Sequence, residues 1–246
     1  MSRRFIWGLK PVPDTILQID GLDSFYGDFQ ALYSVSMRVR KGEVVAVIGA
    51  NGAGKTTLMR SVTGLIDNAS EMIRHNGVPI GHLRADQIAA RGIAMVPEGR
   101  QLFRSLSVEE NLVIGGQMGR AGPWSLASVY KLFPVLQERR NQASTSLSGG
   151  QQQMVAIGRA LMANPDLLLF DEISLGLAPI IIKSIYEALP GIIGSGMSAM
   201  VVEQDIVRAM EVSDRVYCLQ EGRVSLEGRS GMVSRDAISK AYFGIG

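Results

Sequence analysis

The hydrophobic positions of this chain alternate between two periods. Unbroken apolar runs at 44–48 (Val-Val-Ala-Val-Ile), 93–96, 167–170 and 199–202 read as strands buried on both faces. Segments 16–19 and 31–39 read as strands as well, the second alternating apolar and polar, with Phe25-Tyr26-Gly27-Asp28-Phe29 between them. Leu58, Met59, Val62 and Leu65 are spaced as one face of a helix that starts near Gly54. Val129, Leu132, Phe133 and Leu136 do the same for a helix over 127–140. Further helices are predicted over 152–162, 179–193 and 205–212, and one from Ser107-Val108-Glu109-Glu110, capped by Ser107 or Ser105. Asn76-Gly77 marks an edge strand or hairpin within 71–80, and Glu221-Gly222 joins a terminal hairpin of 215–219 and 223–226.

Strands that alternate with helices imply an α/β fold with a largely parallel sheet. The stretch of about 100–165 is almost entirely helical in pattern and reads as an inserted subdomain. There is no internal repeat and no low-complexity segment.

Composition narrows the picture. With 246 residues and 46% apolar content, the chain can bury a sizeable core. A net charge of +2 argues against an electrostatic nucleic-acid binder. The single Cys218 allows no internal disulfide and no cysteine metal cluster, which fits a reducing compartment; it reads as a small buried residue. No run approaches the ~18 apolar residues that span a bilayer. Ser2-Arg3-Arg4-Phe5-Ile6 has the arginine pair of an export signal, but Lys10, Pro11, Pro13 and Asp14 replace the apolar stretch such a signal needs. Residues 1–14 are expected to form a loose extension before a unit of 15–246. His75 and His82 read as surface residues.

The chemistry begins where the 44–48 strand ends. Gly49-Ala50-Asn51-Gly52-Ala53-Gly54-Lys55-Thr56 has the G-x-x-x-x-G-K-[ST] spacing of the Walker A phosphate loop. Its glycines admit backbone N–H groups close to a polyphosphate, and the following helix directs its positive end at the same anion. Lys55 can reach the β- and γ-phosphates, and the Thr56 hydroxyl can bind Mg²⁺. Leu147-Ser148-Gly149-Gly150-Gln151 precedes a helix. The 167–170 strand ends in Asp171-Glu172, so Asp171 is expected beside the phosphate loop as a Mg²⁺ ligand, and Glu172 near an attacking water as general base. Ser-Gly-Gly alone is commonly a loop, and Asp-Glu alone a solvated strand end; their order and spacing carry the argument.

These motifs together resemble the ATP-binding cassette (ABC) ATPases, from about Ile16 to the end of the chain. The resemblance implies a P-loop NTPase core with an antiparallel β subdomain and a helical insert. It implies ATP and Mg²⁺ as ligands and a head-to-tail pair of cassettes. Tyr26 matches the aromatic that stacks on adenine. Residues Gly49, Ala50, Asn51, Gly52, Ala53, Gly54, Lys55, Thr56 and Thr57 match the phosphate loop, while Ser148, Gly149, Gly150 and Gln151 match the signature that meets the partner subunit's ATP. Asp171 and Glu172 match the metal-side aspartate and the catalytic glutamate.

Four positions depart from the usual family pattern. Glu98 stands for a glutamine that touches Mg²⁺ and water, Ile173 for a proline, Ala178 for an aspartate in the loop crossing the dimer, and Gln204 for the switch histidine. Val96-Pro97-Glu98-Gly99-Arg100, Ala156-Ile157-Gly158-Arg159-Ala160-Leu161-Met162, Ser174-Leu175-Gly176-Leu177-Ala178-Pro179 and Val202-Glu203-Gln204 resemble one of the two ATPases of branched-chain amino acid importers; only Ile173 departs there too. That subfamily implies a peripheral subunit on the cytoplasmic face of the inner membrane, a second, sister ATPase, integral permease subunits and, indirectly, a substrate-binding protein, without nucleic acid. A permease helix is expected in the groove near 98–106. Two alternatives stay open: a non-catalytic, regulatory cassette, and a soluble cassette unconnected with transport.

Overall fold

The computed structural model describes residues 14–194 and 196–243. The long first hairpin comprises β1 (Thr15–Tyr26) and β2 (Phe29–Arg40), which turn over Gly27-Asp28. β3 (Val44–Ile48) then leads into α1 (Lys55–Val62). The short strands β4 (Ile73–His75) and β5 (Val78–Pro79), helix α2 (Ala85–Ala90) and β6 (Ile93–Val96) follow. A helical stretch carries α3 (Val108–Gly115), α4 (Leu126–Leu132), α5 (Pro134–Glu138) and α6 (Gly149–Met162). The chain returns through β7 (Leu167–Asp171), α7 (Pro179–Ile193), β8 (Ser198–Glu203), α8 (Ile206–Val212), the hairpin β9 (Arg215–Gln220) and β10 (Arg223–Arg229), and α9 (Arg235–Phe243).

Two sheets result. One has the order β10-β9-β3-β8-β7-β6, parallel throughout except for β10 at its edge; the other is antiparallel, ordered β2-β1-β4-β5. The unbroken apolar runs are explained by cores on both faces of the parallel sheet. Val45, Val47, Leu167, Leu169, Met200 and Val202 pack with α1 and the antiparallel sheet. Their neighbours Val44, Leu168, Phe170, Ala199 and Val201 pack with the helical stretch and α7. Ala46 and Ile48 meet Val216, Cys218 and the C-terminal helices. Cys218 is buried as a core residue.

The structure corrects several expectations. The helix anticipated over 127–140 is two helices, because Pro134 bars its preceding residue from helical geometry; Phe133 sits at φ −129°, ψ 78°. The segments 16–19 and 31–39 lie within longer strands of 12 residues each, the first at the start of β1. The helix anticipated from 152 begins at Gly149, with Ser148 as its cap. Helices α2 and α9 were not anticipated. The loose extension read over 1–14 lies outside the described residues except for Asp14, whose carbonyl accepts from Lys41 N at 2.8 Å.

His82 is exposed, but His75 is buried, not a surface residue, because β4 is held between β1 and β5 with His75 opposite Leu17. Burial lowers its pKa to about 4; Asp166 opposes that shift, and Arg120, Arg91 and Lys41 add to it. Between about pH 6.5 and 4 the unfolded chain therefore binds a proton that the folded protein refuses. Stability is expected to fall as pH drops through that window, by up to roughly 3 kcal/mol, and to be independent of this residue above it. Urea unfolding at pH 7 and pH 4.5 checks this: His75→Gln should remove most of the difference, and an unchanged difference would refute the assignment.

Candidate nucleotide site

The phosphate loop forms between β3 and α1 because its glycines take up geometry and space that other residues cannot. Gly54 precedes α1 at φ 103°, and a Cβ there would lie 2.6 Å from Leu32 Cδ2. A Cβ on Gly49 would lie 2.4 Å from the Leu219 carbonyl oxygen, so the loop is seated directly on β9. The Lys55 side chain is only 4% exposed. Its Nζ donates to the carbonyls of Gly49 at 2.8 Å and Ala50 at 3.1 Å, and stands 3.4 Å from Glu172 Oε1.

β7 delivers the two acids. Asp171 is 3% exposed, and its Oδ1 has no hydrogen-bond partner among the described residues. Burial, then the nearby charges of Glu172 and Glu98, raise its pKa to about 6 against the pull of Lys55 and Arg60. Glu172 adopts a left-handed backbone at φ 48°, a conformation that costs of order 1 kcal/mol for a non-glycine residue. It is held there by Glu172 N donating to Val202 O at 3.1 Å and Leu175 N donating to Glu172 O at 3.2 Å. Gln204, just past β8, donates from Nε2 to Glu172 Oε2 at 2.6 Å.

A cavity of about 780 Å³ gathers Tyr26, Asn51, Gly52, Gly54, Lys55, Thr56, Thr57, Glu98, Glu172 and Gln204 along one wall or another. Tyr26 is 42% exposed at the tip of the first hairpin, with its hydroxyl 3.5 Å from Thr57 Oγ1. Ser148, Gly149, Gly150 and Gln151 do not line this cavity. They open α6 in a capping box, in which Ser148 N donates to Gln151 Oε1 at 3.0 Å. Ile173, in place of proline, is 2% exposed and anchors the loop after Glu172 in the second core. Ala178 stands just before α7 with no side-chain cap.

The donor set fits a hard divalent cation. An orphaned, buried carboxylate oxygen at Asp171, beneath a cavity lined by Thr56 and Glu98 but not by Asp171 itself, is what such an ion would complete. No group of three or more His, Cys, Asp or Glu side chains among the described residues could hold a metal alone. Mg²⁺ does not need one, since it takes one or two carboxylates and fills its shell from phosphate and water.

Sequence reasoning missed three features. The Gln204–Glu172 bond escaped it because the partners are distant in sequence and meet only where β7 and β8 are neighbours. Phe29, Gln30, Ala31 and Tyr33 of β2 also line the cavity, as do Glu221 and Gly222 of the terminal hairpin. A bond between the chain's two halves, Gly222 N to Ala53 O at 3.0 Å, brings that hairpin there. Asn111, fully buried, accepts from Phe103 N at 2.9 Å and donates to Phe103 O at 3.1 Å, pinning the 99–106 segment to α3. Its one sequence signal is a polar residue on an apolar helix face.

The chain is similar to known proteins along most of its length. The ABC transporter family model matches residues 32–174. The chain is 43% identical over 232 residues to the high-affinity branched-chain amino acid transport ATP-binding protein BraG of Pseudomonas aeruginosa, covering 93% of this chain and all of that one. It is 30% identical to the probable branched-chain amino acid transport ATP-binding protein LivF of Archaeoglobus fulgidus, covering 91% of this chain and 97% of the relative. Among solved structures, MJ1267, an ATP-binding cassette of an ABC transporter, superposes with a TM-score of 0.79 at 27% identity, covering 94% of this chain and 99% of that one. No helix among the described residues is long and apolar enough to cross a membrane. The chain belongs to the ABC transporter family, as an ATP-binding subunit with ATPase activity.

Proposed function

We propose that this subunit hydrolyses ATP to drive uptake of branched-chain amino acids through a membrane permease. The observation that carries the reading is the convergence of Lys55, Glu172 and Gln204 on the phosphate-loop cavity, in a chain 43% identical to BraG over the whole length of BraG. In this reading Tyr26 offers its ring to adenine, and the N–H groups of 49–57 with Lys55 hold the phosphates. Thr56, Asp171 and Glu98 hold Mg²⁺, which when bound neutralises charge on the transferring phosphoryl group. Glu172 takes the proton of the attacking water. Gln204 orients that carboxylate by donating to Oε2, while Oε1 faces the Lys55 ammonium at 3.4 Å. Ser148, Gly149, Gly150 and Gln151 face a second cassette's nucleotide.

A groove lined by Leu65, Met95, Phe103 and Ile114 between the core and the helical stretch would receive the permease helix. The 99–106 segment on its rim is braced by Arg159, which donates to Gln101 O at 2.8 Å and Arg100 O at 3.1 Å.

Deleting the gene is expected to abolish high-affinity uptake of leucine, isoleucine and valine in its host. The wild-type chain should restore it, and Glu172→Gln should not. Unchanged uptake of all three would overturn the substrate reading.

A partner ATPase that carries histidine at the position of Gln204 would give two unequal sites. Glutamine cannot titrate near neutral pH, whereas histidine does so at about 6.5. In single-turnover hydrolysis of the assembled complex across pH 5.5–8.5, the site built on this chain is expected to be slower and to lack the pH dependence of the switch position. Identical profiles at both sites, or a functional transporter holding only copies of this chain, would refute the unequal pair.

A further inference from the structure

Glu203, the last residue of β8, is 1% exposed and has no cation within ion-pair distance among the described residues. Both its oxygens are taken by hydroxyls. Ser174 Oγ donates to Oε2 at 2.8 Å, and Tyr186 OH donates to Oε1. Burial pushes its carboxyl group upward, and the hydroxyls of Tyr186 and Ser174, with the backbone N–H groups of Ser174 and Gln204, pull it back. A buried carboxylate met only by neutral hydroxyl and backbone N–H donors, with no cation beside it, is a costly way to fill space, since an apolar side chain would cost less to bury. Its placement suggests what the cost supports. Ser174 lies two residues after Glu172, Tyr186 lies on α7, and Glu203 directly precedes Gln204.

We infer that Glu203 is a positioning residue, clamping the Glu172-bearing loop through Ser174 and the middle of α7 through Tyr186 to the strand end that carries Gln204. The loop of 172–178 has few other fixed points. Its backbone is tied at Glu172 to Val202, and Ile173 is buried beneath it. Glu172 itself is in a left-handed conformation that must be held by its surroundings. With the Glu203 clamp in place, the 2.6 Å bond from Gln204 to Glu172 joins two segments already fixed to each other. Without it, only the Glu172–Val202 backbone bond and the buried Ile173 fix the loop relative to the strand end that carries Gln204, and a misplacement near 1 Å is enough to cost about a hundredfold in rate. The phosphate loop is on β3 and α1 and does not depend on the clamp.

The proposal rests on Glu172 acting as general base, so that variant belongs in the same experiment. Steady-state ATPase kinetics, ATP affinity and thermal stability are measured on the full chain for Ser174→Ala, Tyr186→Phe, Glu203→Leu and Glu172→Gln, with Ser174→Thr as the conservative replacement. Ser174→Ala and Tyr186→Phe are each expected to lower kcat fivefold or more, with KM and ATP affinity within twofold of wild type. Ser174→Thr, which keeps the hydroxyl, should restore kcat to within twofold. Combining Ser174→Ala with Glu203→Leu should cost no more than Glu203→Leu alone, because leucine can neither accept nor donate and both changes remove the same tie. Normal kcat in Ser174→Ala and Tyr186→Phe, alongside an inactive Glu172→Gln, would overturn the clamp and leave the base assignment standing. Wild-type hydrolysis by Glu172→Gln would overturn both. A parallel loss of ATP affinity and of thermal stability, with kcat intact, would reduce Glu203 to a purely structural role.

Discussion

Lys55→Ala is expected to weaken ATP binding by at least about a hundredfold, with little change in fold. The lysine is buried, and its ammonium is already fixed by the Gly49 and Ala50 carbonyls at the mouth of the loop. A polyphosphate in the cavity would therefore meet a preorganised charge, and a desolvated charge-assisted contact of this kind is worth roughly 3–4 kcal/mol, with 1.4 kcal/mol per tenfold. The substitution has a second effect in the same direction. Lys55 is the leading influence that lowers the pKa of Asp171. Without it, three acids, Asp171, Glu172 and Glu98, crowd one site, and an incoming triphosphate meets uncompensated negative charge. Titration calorimetry with ATP and Mg²⁺ decides the matter; an affinity within tenfold of wild type would show that the loop N–H groups alone bind the nucleotide.

Glu172→Gln is expected to separate binding from chemistry. Hydrolysis should fall by a factor of ~10²–10⁴, the usual contribution of a positioned general base. Affinity for ATP should hold or tighten. The amide keeps the side chain's volume while removing a negative charge 3.4 Å from Lys55 Nζ, so the ammonium becomes more available to phosphate. It also removes the largest of the charges that raise the Asp171 pKa, which favours the ionised carboxylate that Mg²⁺ needs. Single-turnover hydrolysis and equilibrium binding on the same preparation check both halves. Hydrolysis at the wild-type rate would reassign the base.

Much of the fold could be read from the chain because local signals agreed with the tertiary outcome. The 44–48 run and the helix over 179–193 were located to the residue, since five consecutive buried positions and a proline-started apolar helix leave few alternatives. The phosphate loop was equally plain, because its chemistry is carried by backbone and glycine, which sequence spacing fixes directly. Where local and tertiary demands diverged, the reading failed in definite ways. Pro134 split a helix whose side-chain period continued through it. His75 is polar in sequence, yet buried because strands pair on both sides of it.

The site shows the same division. Sequence determined which groups are available: a lysine in a glycine-rich loop, two acids after an apolar strand, and a glutamine after another. Only the tertiary structure decided their relations. Strand order places β8 between β3 and β7, so the ends of all three strands converge, and residues 32 positions apart come within 2.6 Å at Gln204 and Glu172. Side-chain geometry at that convergence, including the orphaned Asp171 oxygen and the hydroxyl pair on Glu203, depends on packing across the sheet. No one-dimensional period encodes such contacts, because they are set by which strands become neighbours rather than by which residues adjoin along the chain.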